Sequence, residues 1–321
     1  MSTHTVADLD IAAPAEPAPG RSLPTAVLTM LGTGTSSQVG AAIGAHAFAT
    51  IGPPGVVAVR QMVAAVVLFT MARPPLHRFT WRQWWPTLLL GLVFAVMNLS
   101  LYTAVDRIGL GLAVTLEVLG PLAVALAGSR TRLDALCAAL AGVGVFVLVL
   151  PGPTSDFLGV GFGLLAGACW AAYILTNRLI GVRLPGLHGP AAASFVSALM
   201  YLPVIVVLAD QGRFTAAALF YSVCAGVLCS VVPYAADIVV LRRVPAQFFG
   251  VFMSVNPVLA ALAGIVILDQ VLNLREWVGI GVVIAANAIA TTATARRRGS
   301  RRPGPPAPRT PNLTAAVDLS R

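Results

Sequence analysis

Stretches of roughly 20 mostly apolar residues, the length at which an α-helix crosses the hydrocarbon of a bilayer, recur from one end of this chain to the other. Read against Pro, Gly and Arg punctuation, they predict ten spans near 25–49, 54–72, 85–105, 110–128, 134–151, 158–180, 190–209, 215–240, 245–267 and 275–294. Composition narrows the alternatives. Of 321 residues, 57% are hydrophobic and 10% charged, with a mean hydropathy of +0.85, whereas an ordinary soluble domain carries roughly 25% charged residues. A water-soluble fold of this size could not hide that much apolar surface. The expected class is therefore an all-α integral membrane protein whose solvent is lipid.

Residues 1–22 are polar and rich in Pro and Ala, without the basic start and apolar block of a secretory signal, so the first span is expected to be retained. Cys137, Cys169, Cys224 and Cys229 fall inside predicted spans without metal-type spacing and read as small packing residues. No metal and no cofactor is implied. A net charge of +9 would suit nucleic acid, but the placement of the basic residues, all of them arginine, excludes that partner. Arg107, Arg213 and Arg275 are assigned to one side of the membrane and Arg60 lies within a span. The other arginines fall in segments on the opposite side, including the tail's Arg296, Arg297, Arg298, Arg301 and Arg302. Such a bias marks the cytoplasmic face and places both termini there.

The chain also repeats itself. A shift of 136 residues superposes Pro121-Leu-Ala-Val-Ala-Leu-Ala-Gly128 on Pro257-Val-Leu-Ala-Ala-Leu-Ala-Gly264, and the same shift aligns Pro54 with Pro190 and Arg107 with Arg243. Each half then holds five spans, and an odd number forces opposite orientations. The expected organisation is a disordered cytoplasmic segment at 1–24, a first five-helix repeat at 25–151, a second at 158–294 and a basic, Pro-rich, disordered cytoplasmic tail at 295–321. Inverted repeats of this kind recur in transporters, with the substrate at the repeat interface and a central cavity opened alternately by rocking of the halves. That is an analogy at the level of fold.

An ionisable side chain at the bilayer centre costs about 2.5 to 3.5 kcal/mol on insertion scales, so each is a functional candidate. Three stand out: Arg60, Glu117 and Asp237. Pro121 lies four residues beyond Glu117, where its ring and missing N–H should free the carbonyl of residue 117 and kink the helix; Pro257 is the equivalent kink in the second half. Glu117 reads either as a working carboxylate or as one merely paired to Arg60 for structure. Polar residues elsewhere form stripes at helical spacing: Thr35 and Gln38; Asn98 and Tyr102; Trp170, Tyr173 and Asn177; Ser230, Tyr234 and Asp237. Lipid-facing polar stripes are disfavoured, so these faces should point inward. Trp81, Trp84, Trp85 and Trp277 suit the interfacial belt, whereas Trp170 and Tyr173 sit deeper and read equally as cavity lining or packing. Gly159, Gly161, Gly163 and Gly167 do not spell a nucleotide-binding loop and predict close helix packing. His46 is a lone intramembrane histidine and reads as structural.

The stretches Leu116-Glu117-Val-Leu-Gly-Pro121-Leu-Ala-Val-Ala-Leu126, Gly167-Ala-Cys-Trp170-Ala-Ala-Tyr173-Ile-Leu175 and Phe249-Gly-Val-Phe-Met-Ser-Val-Asn-Pro257 carry a resemblance over about residues 25–294. With Ser37-Gln38, Met97-Asn98 and Pro233-Tyr234, they resemble the EamA family of the drug/metabolite transporter superfamily, and within it the bacterial threonine/homoserine exporters. The resemblance implies ten helices in two inverted repeats around a cavity, and proton-driven efflux of amino acids or related amphipathic metabolites across the inner membrane. Asn256 and Gln270 stand where relatives often carry Glu, so the substrate or driving ion here is open to difference.

On this reading Glu117 meets the ammonium of a small-molecule substrate or cycles a proton, and Asp237 is the second candidate proton carrier. Asn98, Tyr102, Gln38, Tyr173, Asn177 and Tyr234 supply neutral hydrogen bonds, and Arg60 pairs a carboxylate. Transport of another substrate class, such as a drug or vitamin, is the alternative. An intramembrane enzyme is the remote one: H-E-x-x-H is absent, and a serine nucleophile would have only His46 as base within the spans.

Overall fold

In the computed structural model, residues 23–127, 132–149, 156–233 and 254–300 are described. Among them every regular element is helical. The order is α1 (Leu23–Ala45), α2 (Phe48–Ala72), a 3-10 turn (Leu76–Arg78), α3 (Trp81–Ile108), α4 (Leu110–Glu117), α5 (Leu119–Ala127) and α6 (Arg132–Val149). There follow α7 (Phe157–Gly181), α8 (His188–Met200), α9 (Leu202–Asp210), α10 (Ala216–Gly226), a π-helical segment (Val227–Val231), α11 (Asn256–Leu268) and α12 (Leu274–Ser300). Four of these helical stretches, α2, α3, α7 and α8 with α9, are long and apolar enough to cross a bilayer.

Prolines decide where the spans start and break. Gly52, at φ 67°, turns the chain before Pro53 and Pro54, which then open the main length of α2 with φ preset. The predicted fourth span breaks at Val118 between α4 and α5, as Pro121 leads one to expect: it has no N–H to offer the Glu117 carbonyl. The seventh breaks at Tyr201, with Pro203 in the first turn of α9. Pro257 does not act as the predicted mid-span kink among the described residues. It lies in the first turn of α11, where a missing N–H costs nothing. The last helix also corrects a boundary: α12 continues past 294 to Ser300. An apolar-run criterion stops at the first polar residues, but Ala and Arg are good helix formers and carry the helix beyond them.

Packing runs between the halves as well as within them. The α3 helix lies along α7, α2 against α8, α6 against α12, α1 against α10 and α11, and α4 against both α7 and α11. A buried core of Ala42, Val56, Tyr102, Leu110, Val114 and Ala260 sits where α1, α2, α3, α4 and α11 converge. Large apolar side chains such as Val66, Val206, Phe220 and Val266 point outward, the arrangement expected where lipid is the solvent. Gln61 Nε2 on α2 donates to Ser197 Oγ on α8 at 2.7 Å. Gly144 on α6 and Gly279 on α12 abut, a Cβ built on either lying 3.1 Å from the carbonyl oxygen of the other.

Candidate functional site

Arg60, near the middle of α2, places its guanidinium carbon 5.3 Å from the centroid of the Tyr102 ring on α3. A cation over an aromatic face is attracted by the ring quadrupole, the more so when water is excluded. Tyr102 is 1% exposed. Its hydroxyl lies 3.9 Å from Cys229 Sγ in the π-helical segment, and that thiol donates to the Ser37 carbonyl on α1 at 3.1 Å. Ser36 Oγ donates to the Leu228 carbonyl at 2.9 Å. The wider turn of a π segment loosens the backbone ladder, and here α1 takes up one of its carbonyls. Gly40 permits the approach, since a Cβ there would lie 2.8 Å from Cys229 Sγ.

Glu117, at the C-terminal end of α4, is 8% exposed. Its backbone is as informative as its side chain. Gly167 on α7 packs on the broken turn so closely that a Cβ would lie 2.9 Å from the Leu116 carbonyl oxygen and 3.1 Å from that of Glu117. Gly120 on α5 meets the Gly167 carbonyl in turn, with no room for a side chain. The Glu117 carbonyl freed by Pro121 thus faces the backbone of α7, and Gly163 accommodates Leu116 one turn earlier. Small residues that let backbones touch are how membrane helices pack, as the glycine spacing predicts for Gly159, Gly163 and Gly167. A Cβ on Gly161, by contrast, would meet nothing within 4 Å.

The guanidinium of Arg60 interacts electrostatically with Glu117, Tyr102, Cys229 and Tyr201. Arg60 and the buried Glu117 thus share one region of the bundle. Tyr201, at the α8–α9 break, donates from its hydroxyl to the Ala95 carbonyl at 2.8 Å and ties that break to α3.

The other candidate residues distribute as follows. Gln38 and Asn98 are buried, and Asn98 Nδ2 donates to the Phe94 carbonyl of its own helix at 2.8 Å. Trp170 packs against the central core that contains Tyr102. Tyr173 belongs to a neighbouring cluster, its ring 5.6 Å from that of Phe94. Asn177 is half-buried on α7. Asn256, at the start of α11, turns its Oδ1 toward α1, where a Cβ on Gly34 would meet it at 3.0 Å. Tyr234 and Asp237 lie outside the described residues.

Four participants were not foreseen: Tyr201, the Gln61–Ser197 pair, Cys229 as more than packing, and Gln270 as a cap. Gln270 Oε1 accepts the Leu110 N–H at 3.0 Å and so caps the start of α4 across the halves. Pro203 two residues on could have flagged Tyr201; the other contacts are tertiary and leave no local signature.

The EamA-like transporter family description matches residues 157–292. The threonine/homoserine exporter RhtA of Salmonella typhimurium is 34% identical over 277 residues, which cover 84% of this chain and 92% of that protein. The same exporter of Escherichia coli K12 is 33% identical over the same shares, and the uncharacterized transporter YwfM of Bacillus subtilis is 24% identical over 73% of this chain and 82% of its own. One solved structure, described only as the crystal structure of a protein, superposes with a TM-score of 0.56 at 17% identity, covering 86% of this chain and 99% of that one. With a relative one-third identical along nearly its whole length, this chain belongs to the EamA-like transporter family.

Proposed function

We propose that the protein is a secondary transporter of the bacterial cytoplasmic membrane that exports small amphipathic metabolites, amino acids such as threonine and homoserine first among them, in exchange for protons. The observation that carries the proposal is that the Arg60 guanidinium, 5.3 Å from the Tyr102 ring centroid, and the buried Glu117 carboxyl interact electrostatically in one region of the bundle. A free amino acid is a zwitterion. Its carboxylate suits Arg60 and its ammonium suits Glu117, and a hydroxylated side chain finds neutral partners in Tyr102, Gln38 and the Asn98 amide. The exporters to which the chain is similar are named for such substrates.

The architecture proposed is ten helices in two inverted five-helix repeats around a central cavity, with both termini cytoplasmic. Two contacts support it. Gln61 touches the residue 136 positions later, the offset that aligns the halves, and Gly144 touches Gly279, one position off that offset. A residue in contact with its own repeat equivalent lies on the axis relating the two repeats. Rocking of the halves about such an axis would expose the Arg60–Glu117 region to each side in turn. In that cycle Glu117 exchanges substrate ammonium for a proton, Asp237 is the second proton carrier, and Tyr173, Asn177, Tyr234, Trp170 and Asn256 border the path.

Growth of an overexpressing strain on inhibitory homoserine, threonine and a panel of toxic analogues tests the substrate class. Resistance to homoserine and threonine is expected. Resistance to none of the amino acids would turn the reading to another drug/metabolite transporter substrate.

A further inference from the structure

Where α3 begins, Thr80, Arg82, Gln83, Trp85 and Arg183 line a surface cavity of about 500 Å³. The cavity is built from two sides. Thr80 opens α3 with a capping box, Gln83 Oε1 accepting the Thr80 N–H at 3.0 Å. Gln83 Nε2 then donates to the Arg183 carbonyl at 3.2 Å, and Arg183 Nη1 donates to the Arg82 carbonyl at 2.7 Å. The Arg183 guanidinium carbon sits 5.1 Å from the Trp85 ring centroid. The turn after α7 is thereby clamped on the start of α3, and one guanidinium is fixed in place with most of its five donors uncommitted to that clamp. Arg82 is exposed on the same rim. Among the described residues no carboxylate forms an ion pair with either arginine. The positive end of the α3 dipole adds to the field.

The apolar surroundings continue from the cavity along one face of α3. Trp81, Trp85, Leu88, Leu89 and Leu92 are all exposed, and their spacing of three to four residues sets them in a single stripe. Indoles of this kind settle at headgroup level, and the leucines beyond them meet acyl chains.

We infer that this cavity binds the phosphate of an anionic phospholipid, in the cytoplasmic leaflet on the orientation proposed above. Two guanidinium groups match a phosphodiester in charge and geometry, and basic clefts at helix ends on this side of a membrane suit such headgroups. The Trp81-to-Leu92 stripe is what selects a lipid over a soluble phosphate, because it gives the acyl chains a track directly beside the phosphate. This site is separate from the Arg60–Glu117 region, and its test does not depend on transport.

Native mass spectrometry of the purified full chain with phosphatidylglycerol, phosphatidylcholine and inorganic phosphate tests the inference. The expected result is preferential retention of phosphatidylglycerol, undiminished by inorganic phosphate. Arg82→Gln should weaken it about fivefold and Arg82→Gln with Arg183→Gln further, while Arg132→Gln, an exposed arginine on another helix, leaves it unchanged. Should the Arg183 variant fail to fold, the exposed Arg82 decides alone. Equal retention of phosphatidylcholine, full competition by inorganic phosphate, or wild-type affinity in Arg82→Gln would each overturn it.

Discussion

Gln61 and Ser197, 136 residues apart, are joined by a buried hydrogen bond of 2.7 Å between α2 and α8. Neither group can turn to water, so the pair is a polar weld in an otherwise apolar helix contact. Truncating one partner strands the other, whereas removing both leaves an apolar contact. Gln61→Leu and Ser197→Ala should each lower the melting temperature in detergent. The double variant should recover part of that loss, with a coupling of about 0.6 kcal/mol and at most about 1.7 kcal/mol. Strictly additive losses would show that the bond contributes nothing.

The seam between Gly120 and Gly167 makes a sharper prediction. A methyl at Gly120 runs into the Gly167 backbone, and one at Gly167 lies 2.9 Å from the Leu116 carbonyl oxygen. Backbone atoms cannot swing aside as a flexible side chain would. Gly120→Ala should cost about 1 to 3 kcal/mol, the usual penalty for overpacking, and Gly167→Ala somewhat less. Gly161→Ala, with nothing within 4 Å of its Cβ, should melt as wild type. Thermal unfolding of the three variants side by side checks the order.

Asp156, at the N-cap of α7, is held below the ordinary carboxylate range by the Gly159 N–H, which it accepts at 2.9 Å, and by the Arg107 side chain at 2.9 Å. A depressed folded-state value means that the stabilisation is present above the unfolded pKa and is lost as pH falls through the folded one. Wild type should therefore lose more thermal stability than Asp156→Asn as the medium is taken below the ordinary carboxylate pKa. Asp156→Ala, which removes the cap as well as the charge, should be the least stable of the three at neutral pH. Parallel melting curves for wild type and Asp156→Asn across the acid range would refute the assignment.

Tyr102 offers two separable contacts, a ring face to Arg60 and a hydroxyl to Cys229. Tyr102→Phe keeps the first but gives up the hydroxyl offered to the substrate, so the apparent KM should rise only a few-fold. Tyr102→Leu removes both and releases Arg60 from its orientation, so the apparent KM for substrate should rise about tenfold. Uptake into everted vesicles over a range of concentrations distinguishes the two.

Local rules made much of this legible. Apolar runs marked the four helical stretches long enough to cross a bilayer, Pro121 marked the break at Val118, and the glycines at 159, 163 and 167 announced helix contacts that the structure contains. What escaped depended on partners distant in sequence. A π turn has no composition of its own, so nothing in Val227–Val231 foretold that Cys229 would reach both Tyr102 and Ser37. Gln61 is a neutral amide on an apolar helix and gains meaning only beside Ser197. Gln270 looked like a missing carboxylate, yet its oxygen caps α4, a role that a carbonyl fills as well as a carboxylate does.

Glu117 bears the most weight. Export of labelled homoserine by everted vesicles carrying Glu117→Gln, beside wild type with matched expression and melting behaviour, tests its role directly. Loss of proton-driven accumulation in the variant is the predicted result. Wild-type accumulation by a normally folded Glu117→Gln protein would contradict it and remove this carboxyl from the transport cycle.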